Sequence, residues 1–360
     1  MSNWTKWWRR ADTMRTELPA LSTQSRKDWY RFGRTLLSME WEDGPFSRRF
    51  GDIFSECAVE QPAEEDTQPH VDFRITPLPS DPRVLVVSMN PDYPDGADFL
   101  CRLVPERRYV ECTELAPGWQ MLARPEAPDE PVFAFGRSKI LVSRAHPWQH
   151  PIALYVISTA FRLQPDVYVL HGASVGIAGR GVLLSGAKGA GKTTLSLCFA
   201  SRGHAFLGDE WAAVSSLTGD LLPLRRAASI RPGPHPAGLD EFLQSHECNA
   251  EVLPDGTQRV RTVVGAVYPR AIPQIVPLTD IFFLRRFASR PSVERFTPSS
   301  EQLPPIAPLL ASVWGHSPAE RALDLFRSLG HARWWHLDVG GSPEGTADIV
   351  EETLKEELWD

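Results

Sequence analysis

One stretch narrows the possible folds more than any other: Gly186-Ala187-Lys188-Gly189-Ala190-Gly191-Lys192-Thr193, followed by Thr194. Spaced glycines followed by a lysine and a hydroxyl residue make a phosphate-loop pattern, whose meaning depends on its flanks. Here residues 182–184 read as a short buried strand. Residues 193–202 read as a helix, with Leu195, Cys198 and Phe199 forming one apolar stripe at i, i+3 and i+4. A glycine-rich turn between strand and helix lets successive backbone N–H groups converge on an anion, and the helix N-terminus adds partial positive charge. The spacing therefore predicts an α/β core built around this loop, with residues 186–194 holding a nucleoside triphosphate.

Gly203 stops the helix, and residues 204–207 open an apolar strand that ends in Gly208-Asp209-Glu210. The acidic pair thus falls on the strand directly after the loop's helix. Phosphoryl transfer is mainly positioning and charge neutralisation. On that basis the backbone of residues 187–191 cradles the β-phosphate, Lys192 neutralises β and γ oxygens, and Thr193 binds Mg²⁺ through its hydroxyl. One of Asp209 and Glu210 completes the metal sphere through water while the other takes the proton of an acceptor hydroxyl, a division that the residues alone leave open. Lys188 is a further candidate for touching phosphate. Arg226 and Arg231, at the two ends of a short strand, are candidates for binding the transferring phosphate or an anionic substrate. Their odd separation points them to opposite faces, so serving one site needs a bend.

Several runs carry a family resemblance: Val169-Leu170-His171-Gly172-Ala173-Ser174, the glycine-rich loop, Arg202-Gly203-His204, Asp209-Glu210 and, more weakly, Arg226-Ala227-Ala228-Ser229-Ile230-Arg231. Together, over residues 165–235, they resemble the HPr kinase/phosphorylase superfamily, whose fold relative is ATP-dependent phosphoenolpyruvate carboxykinase. The resemblance implies an α/β P-loop kinase core of HPr kinase/PEP carboxykinase type, with ATP and Mg²⁺ as cofactors, and it allows a homo-oligomer. It gives His171 a functional role, places Arg226, Ser229 and Arg231 at the substrate, and makes Asp209 the base, because Asp209 matches the family's aspartate without substitution. Glu210 stands where true HPr kinases have a second aspartate, and their later Glu-x-Arg-Gly signature is missing. HPr is therefore not the expected acceptor. The chain looks more like the HPr-kinase-related branch, whose members are proposed to phosphorylate other hydroxyls, including free serine and residues of ribosomal peptide products.

At 360 residues the length suggests two domains. A net charge of −7 argues against a general nucleic-acid binder, which needs a basic face. The five cysteines are dispersed without CxxC spacing, as expected of reduced thiols. No apolar run is long enough to span a bilayer, and no secretory core opens the chain, so the cytoplasm is the expected location.

Residues 1–60 are expected to be an N-terminal helical segment. Within it, Trp4, Trp7, Trp8 and Ala11 form one face of a basic helix over residues 1–11, suited to packing on its own domain, to a partner or to a membrane surface. A second helix is expected over residues 25–40, with Trp29, Phe32 and Leu36 on one face. Residues 70–145 read as a small antiparallel β domain, with strands at 71–75, 83–89, 99–104, 108–115, 119–123 and 132–142. Residues 150–360 read as the kinase domain. In it, a helix over 151–163 precedes a hairpin of 167–178 and 182–185 turning at Gly179-Arg180-Gly181. The region 232–274 is the least regular, with only 240–246 helical, and is a candidate lid. Strands are expected at 281–284 and 333–339, and helices at 318–329, capped by Ser317 with Pro318 and Glu320, and at 346–358.

The leading functional reading is a kinase acting on a serine-type hydroxyl in a peptide or small molecule. A nucleotide-binding regulator with slow hydrolysis, and a carboxykinase-like or phosphorylase activity, are the alternatives.

Overall fold

The computed structural model describes residues 25–62, 70–78, 81–89, 110–116, 119–124, 127–136, 139–143, 150–246, 248, 250–252, 256–297 and 325–356. The chain divides into two compact units, one of Met1–Gly51, Ala58–Gln164 and Val313–Gly315, the other of Asp52–Cys57, Pro165–Ser312 and His316–Asp360. Among the described residues no helix is long and apolar enough to cross a membrane.

The first unit is a nine-stranded sheet. Its strands are β1 (Ser25–Phe32), β2 (Thr35–Glu42), β3 (Ala58–Val59), β4 (His70–Leu78), β5 (Asp81–Met89), β6 (Val110–Ala116), β7 (Trp119–Arg124), β8 (Ala127–Gly136) and β9 (Lys139–Ser143). They run in the order β3-β1-β2-β4-β5-β9-β8-β7-β6, and the β2–β4 pair is parallel. Helix α1 (Pro45–Phe54) supplies Phe50 to an aromatic cluster with Tyr30 and Trp41, and α2 (His150–Arg162) precedes Gln164.

The helix expected over residues 25–40 is a β-hairpin. Tyr30 and Phe32 are buried in alternation with the partly exposed Trp29 and Arg31, which is the period of a strand. Gly33, at φ +60, turns the chain, and Arg31 pairs with Leu36 across the turn. The fully buried amide of Gln164 fixes this turn. Its Oε1 accepts from the Arg34 N–H at 2.8 Å, and its Nε2 donates to Phe32 O at 2.8 Å. The strand expected over 132–142 is two strands, β8 and β9. The strand at 99–104, the tryptophan face of 1–11 and the cap at 317–320 lie outside the described residues. Of the helix expected over 318–329, residues 325–329 are described and helical.

The second unit holds the phosphate-loop segment. Its elements are β10 (Val167–His171), β11 (Ala173–Ile177), β12 (Arg180–Gly186), α3 (Lys192–Ser201), β13 (Ala205–Gly208), β14 (Trp211–Ser215), β15 (Asp220–Leu222), β16 (Ala228–Ile230), α4 (Leu239–Ser245), β17 (Ala250–Val252), β18 (Gln258–Thr262), α5 (Val264–Val267), β19 (Val276–Ala288), β20 (Ser292–Phe296), β21 (Arg333–Gly340) and α6 (Pro343–Glu356). The main sheet runs β10-β14-β15-β19-β12-β11-β13, with β21 and then β20 beyond β19. The long β19 lies parallel to both β12 and β21.

Strict alternation places this sheet between two cores. Val182, Leu184, Phe282, Leu284, Trp335 and Leu337 face a cluster with Leu195 and Phe199 of α3 and Val350 and Leu354 of α6. Leu183, Ile281, Phe283 and Trp334 face the other, with Leu170, Leu207, Val214 and Leu329. A sheet covered on both faces needs uninterrupted apolar strands, which is why these segments read as runs in the sequence. Helix α3 is likewise buried from Leu195 to Ala200, well beyond the single stripe that its spacing suggests.

Two local expectations are corrected. Ile177 pairs with Arg180, so the hairpin turns at Ala178-Gly179, both at positive φ (50 and 80), one residue earlier than expected. The region 232–274 holds more than the one helix expected: β17 and β18 join β16, which precedes the region, in a three-stranded antiparallel sheet, and α4 and α5 flank β17 and β18 in the chain. Three-residue strands such as β17 are too short to carry a periodic signal.

Candidate active site

Strand β12 delivers the loop at Gly186, at φ 147, where a Cβ would come within 2.7 Å of Leu284 O on the neighbouring β19. Only glycine passes there. Gly191, also at positive φ, leads into α3. The Lys192 ammonium donates to Gly186 O at 2.8 Å and to Ala187 O at 3.0 Å, and the Ala190 N–H donates to Ala187 O at 3.1 Å.

Strand β13 ends at Gly208, hemmed in so closely that a Cβ would lie 2.5 Å from Trp211 O. Asp209 and Glu210 then form the two-residue link into β14. The Thr193 hydroxyl sits 2.9 Å from each Asp209 carboxylate oxygen, so the first turn of α3 and the end of β13 meet at one point. Glu210 adopts φ 61, a left-handed conformation that costs a glutamate energy and that its surroundings must hold. Its carboxylate accepts a short charged hydrogen bond from Arg226, whose guanidinium lies 4.9 Å from the Trp211 ring. His171, at the end of β10, pairs with Trp211 across the sheet.

The two acids are pushed apart electrostatically. Burial, with the neighbouring charge of Glu210, raises Asp209 to about 6 against the opposing effects of the Thr193 hydrogen bond and Arg226. Burial also works to raise Glu210, but Arg226, Arg261, Arg259 and His171 outweigh it and hold Glu210 below the usual range. A pair of carboxyls whose environments split them this way can divide acid–base work. Burial lowers Lys192, and burial with the Lys192 charge lowers His171, which favours the neutral imidazole.

A cavity of about 420 Å³ gathers most of the residues singled out by the sequence: His171, Lys188, Gly189, Gly191, Lys192, Thr193, Thr194, Asp209, Glu210, Ser229 and Arg231. Arg226 stands behind Glu210. Arg226 and Arg231 flank β16 and lie outside it, which frees them from the opposite-face constraint of a strand. Sequence reasoning missed another part of the lining, where Phe287 at the end of β19, Val339 and Gly340 of β21, and Ser342 and Pro343 at the start of α6 border the cavity. It also missed Arg259 and Arg261, whose only local signal is the alternation Arg-Val-Arg.

Among the described residues no group of three or more His, Cys, Asp or Glu side chains could hold a metal alone. The hard oxygen donors of Thr193 and of the acid pair Asp209 and Glu210 fit Mg²⁺, which characteristically takes one or two protein ligands and completes its shell with water and phosphate oxygens.

An HPr kinase/phosphorylase of Listeria welshimeri is 33% identical over 105 residues, 29% of this chain and 34% of that protein. One of Listeria monocytogenes serotype 4a is 30% identical over the same length, and one of Aromatoleum aromaticum is 33% identical over 96 residues, 27% of this chain and 26% of that protein. This chain is related to the HPr kinase/phosphorylases. The match to the Listeria HPr kinase/phosphorylases spans about a third of their length. No family model matches the chain. Among solved structures, the Hpr(Ser) kinase/phosphatase from Coxiella burnetii is 11% identical with a TM-score of 0.27, covering 53% of this chain and 96% of that one.

Proposed function

We propose that this HPr-kinase-related chain is an ATP- and Mg²⁺-dependent phosphotransferase that moves the γ-phosphoryl group onto a serine-type hydroxyl of a peptide or small molecule other than HPr. The observation that carries the reading is the meeting of Thr193 and Asp209, with both carboxylate oxygens 2.9 Å from the loop hydroxyl. A hydroxyl at the mouth of a phosphate loop and a buried acid at that separation form the protein half of a nucleotide–metal site. The names of the relatives support the phosphotransferase class, while the choice of acceptor rests on the sequence.

In this reading Thr193 through its hydroxyl, and one of the acid pair through water, would hold Mg²⁺, and the ion would supply charge neutralisation at the phosphate oxygens. The backbone of the loop cradles the β-phosphate. Lys192 gives up its bonds to Gly186 O and Ala187 O and turns its ammonium to the phosphate oxygens. Asp209 accepts the acceptor's hydroxyl proton as the new oxygen–phosphorus bond forms and the bond to the departing diphosphate breaks. Arg226 clamps Glu210 and so keeps the acid link in its strained turn. The phosphorylated acceptor and ADP are the products.

The test is transfer of label from γ-labelled ATP to free serine and to peptides encoded beside the gene, using wild type, Lys192→Ala and Asp209→Asn. Loss of transfer in both variants is expected; full transfer in both refutes the mechanism.

A further inference from the structure

The three-stranded sheet carries a set of charges that phosphate-loop chemistry leaves unused. Arg259 and Arg261 are two residues apart on β18 and project from one face. Ser229 pairs with Arg261, and Glu251 pairs with Arg259, so all four share that face. Ser229 lines the active-site cavity.

Arg226, Arg259 and Arg261 are only 5%, 9% and 8% exposed. Two carboxylates stand among them. Glu210 accepts from Arg226, and Glu251 accepts from Arg259 Nε at 2.6 Å and from Arg261 Nε at 3.4 Å. Burial, with repulsion from Arg226 and Arg259, pulls Arg261 down to about 10. The Nη1 of Arg261 is buried with no hydrogen-bond partner among the described residues. A buried charged donor left unmatched is costly, and a planar guanidinium fork is matched best by a carboxylate or phosphate.

We infer that this arginine face is an anion subsite for the acceptor: the alcohol that receives the phosphoryl group also carries a carboxylate or phosphate, which Arg261 and Arg259 hold while its hydroxyl is presented to Asp209. The inference rests on the phosphotransferase reading and deepens it by naming the acceptor's class. It also gives Glu251 a role, as the internal acid that occupies the arginines until the acceptor arrives.

The experiment reads binding, apart from turnover. Full-length protein is saturated with AMP-PNP and Mg²⁺ to fill the phosphate loop, then titrated calorimetrically with inorganic phosphate in one arm and L-lactate in the other. Wild type is expected to bind a second anion in at least one arm, and the arm that binds names the anion. Arg261→Gln should weaken that binding about ten-fold or more, and Arg261→Lys, which keeps charge without the fork, about three-fold. Glu251→Gln should strengthen it about three-fold by removing the competing acid, a direction that misfolding cannot imitate. AMP-PNP affinity should change less than about two-fold throughout, since none of these side chains reaches the loop. Saturable binding in neither arm, or equal binding by wild type and a folded Arg261→Gln, overturns the subsite. Failure of AMP-PNP to bind overturns the phosphotransferase reading itself, and the subsite with it.

Discussion

In an Asp209→Asn variant the amide keeps the carboxyl's shape and can still accept the Thr193 hydrogen bond, but it no longer buries a charge next to Glu210 at 2% exposure. A rise of the Asp209 pKa from 3.8 to about 6 means that the ionised form destabilises the folded unit by about 3 kcal/mol at pH above 6. The desolvation cost of the amide offsets part of this, leaving a gain of about 1–2 kcal/mol. The sign follows from linkage: a carboxyl raised in the folded state favours folding below its unfolded pKa, and that stability is lost as pH climbs through the folded value. The variant's advantage should therefore be absent near pH 4 and complete by about pH 7. Thermal unfolding without nucleotide and with EDTA is the assay, and the gain corresponds to a Tm higher by roughly 2–8 °C at pH 7.5. Phosphoryl transfer should fall by about 10²–10⁴-fold in the same protein. A variant that melts at or below wild type at pH 7.5, or an advantage that grows on acidification, would refute the claim that burial and Glu210 set the state of Asp209.

Three further outcomes are expected. Ala178→Asn should stabilise the second unit by about 0.5–1 kcal/mol in urea titration, because the exposed Ala178 is held at φ 50 before Gly179 in a turn where Asn-Gly is favoured; a lower midpoint would count against that turn. Asp280→Ala should cost about 3–5 kcal/mol, since this wholly buried carboxylate accepts from Arg180, Arg333 and the Trp335 indole, and the change removes the acid that two guanidiniums share; an unchanged midpoint would show that those partners find other acceptors. Phe287→Ala should weaken ATP binding about five-fold while leaving inorganic triphosphate unaffected, because this ring is 68% exposed at the cavity and suits stacking on a nucleobase; equal losses for both ligands would place its role at the phosphates.

The sequence revealed the parts of the site that are local in the chain. Lys192, Thr193 and the glycines before them could be read because a strand, a tight turn and a helix are all encoded within a few residues. Asp209 and Glu210 could be read because they terminate the next strand. Arg259 and Arg261 could not, since their meaning depends on pairing with Ser229 and Glu251 in a small sheet whose strands are too short to announce themselves. The hairpin of β1 and β2 was hidden differently. Trp29, Phe32 and Leu36 mimic helical spacing, while the feature that decides the matter is a turn at Gly33 anchored by Gln164, more than a hundred residues away. The hub at Asp280 is equally silent in sequence, because its partners sit on β12 and β21.

The grip of Lys192 on Gly186 O and Ala187 O has a consequence for selectivity in a crowded solution. The loop quenches its own cation, so it offers no naked charge to chloride or acetate. A newcomer must replace two oxygens at once to be worth the lysine's release, and a polyphosphate tail is the common solute built to do so.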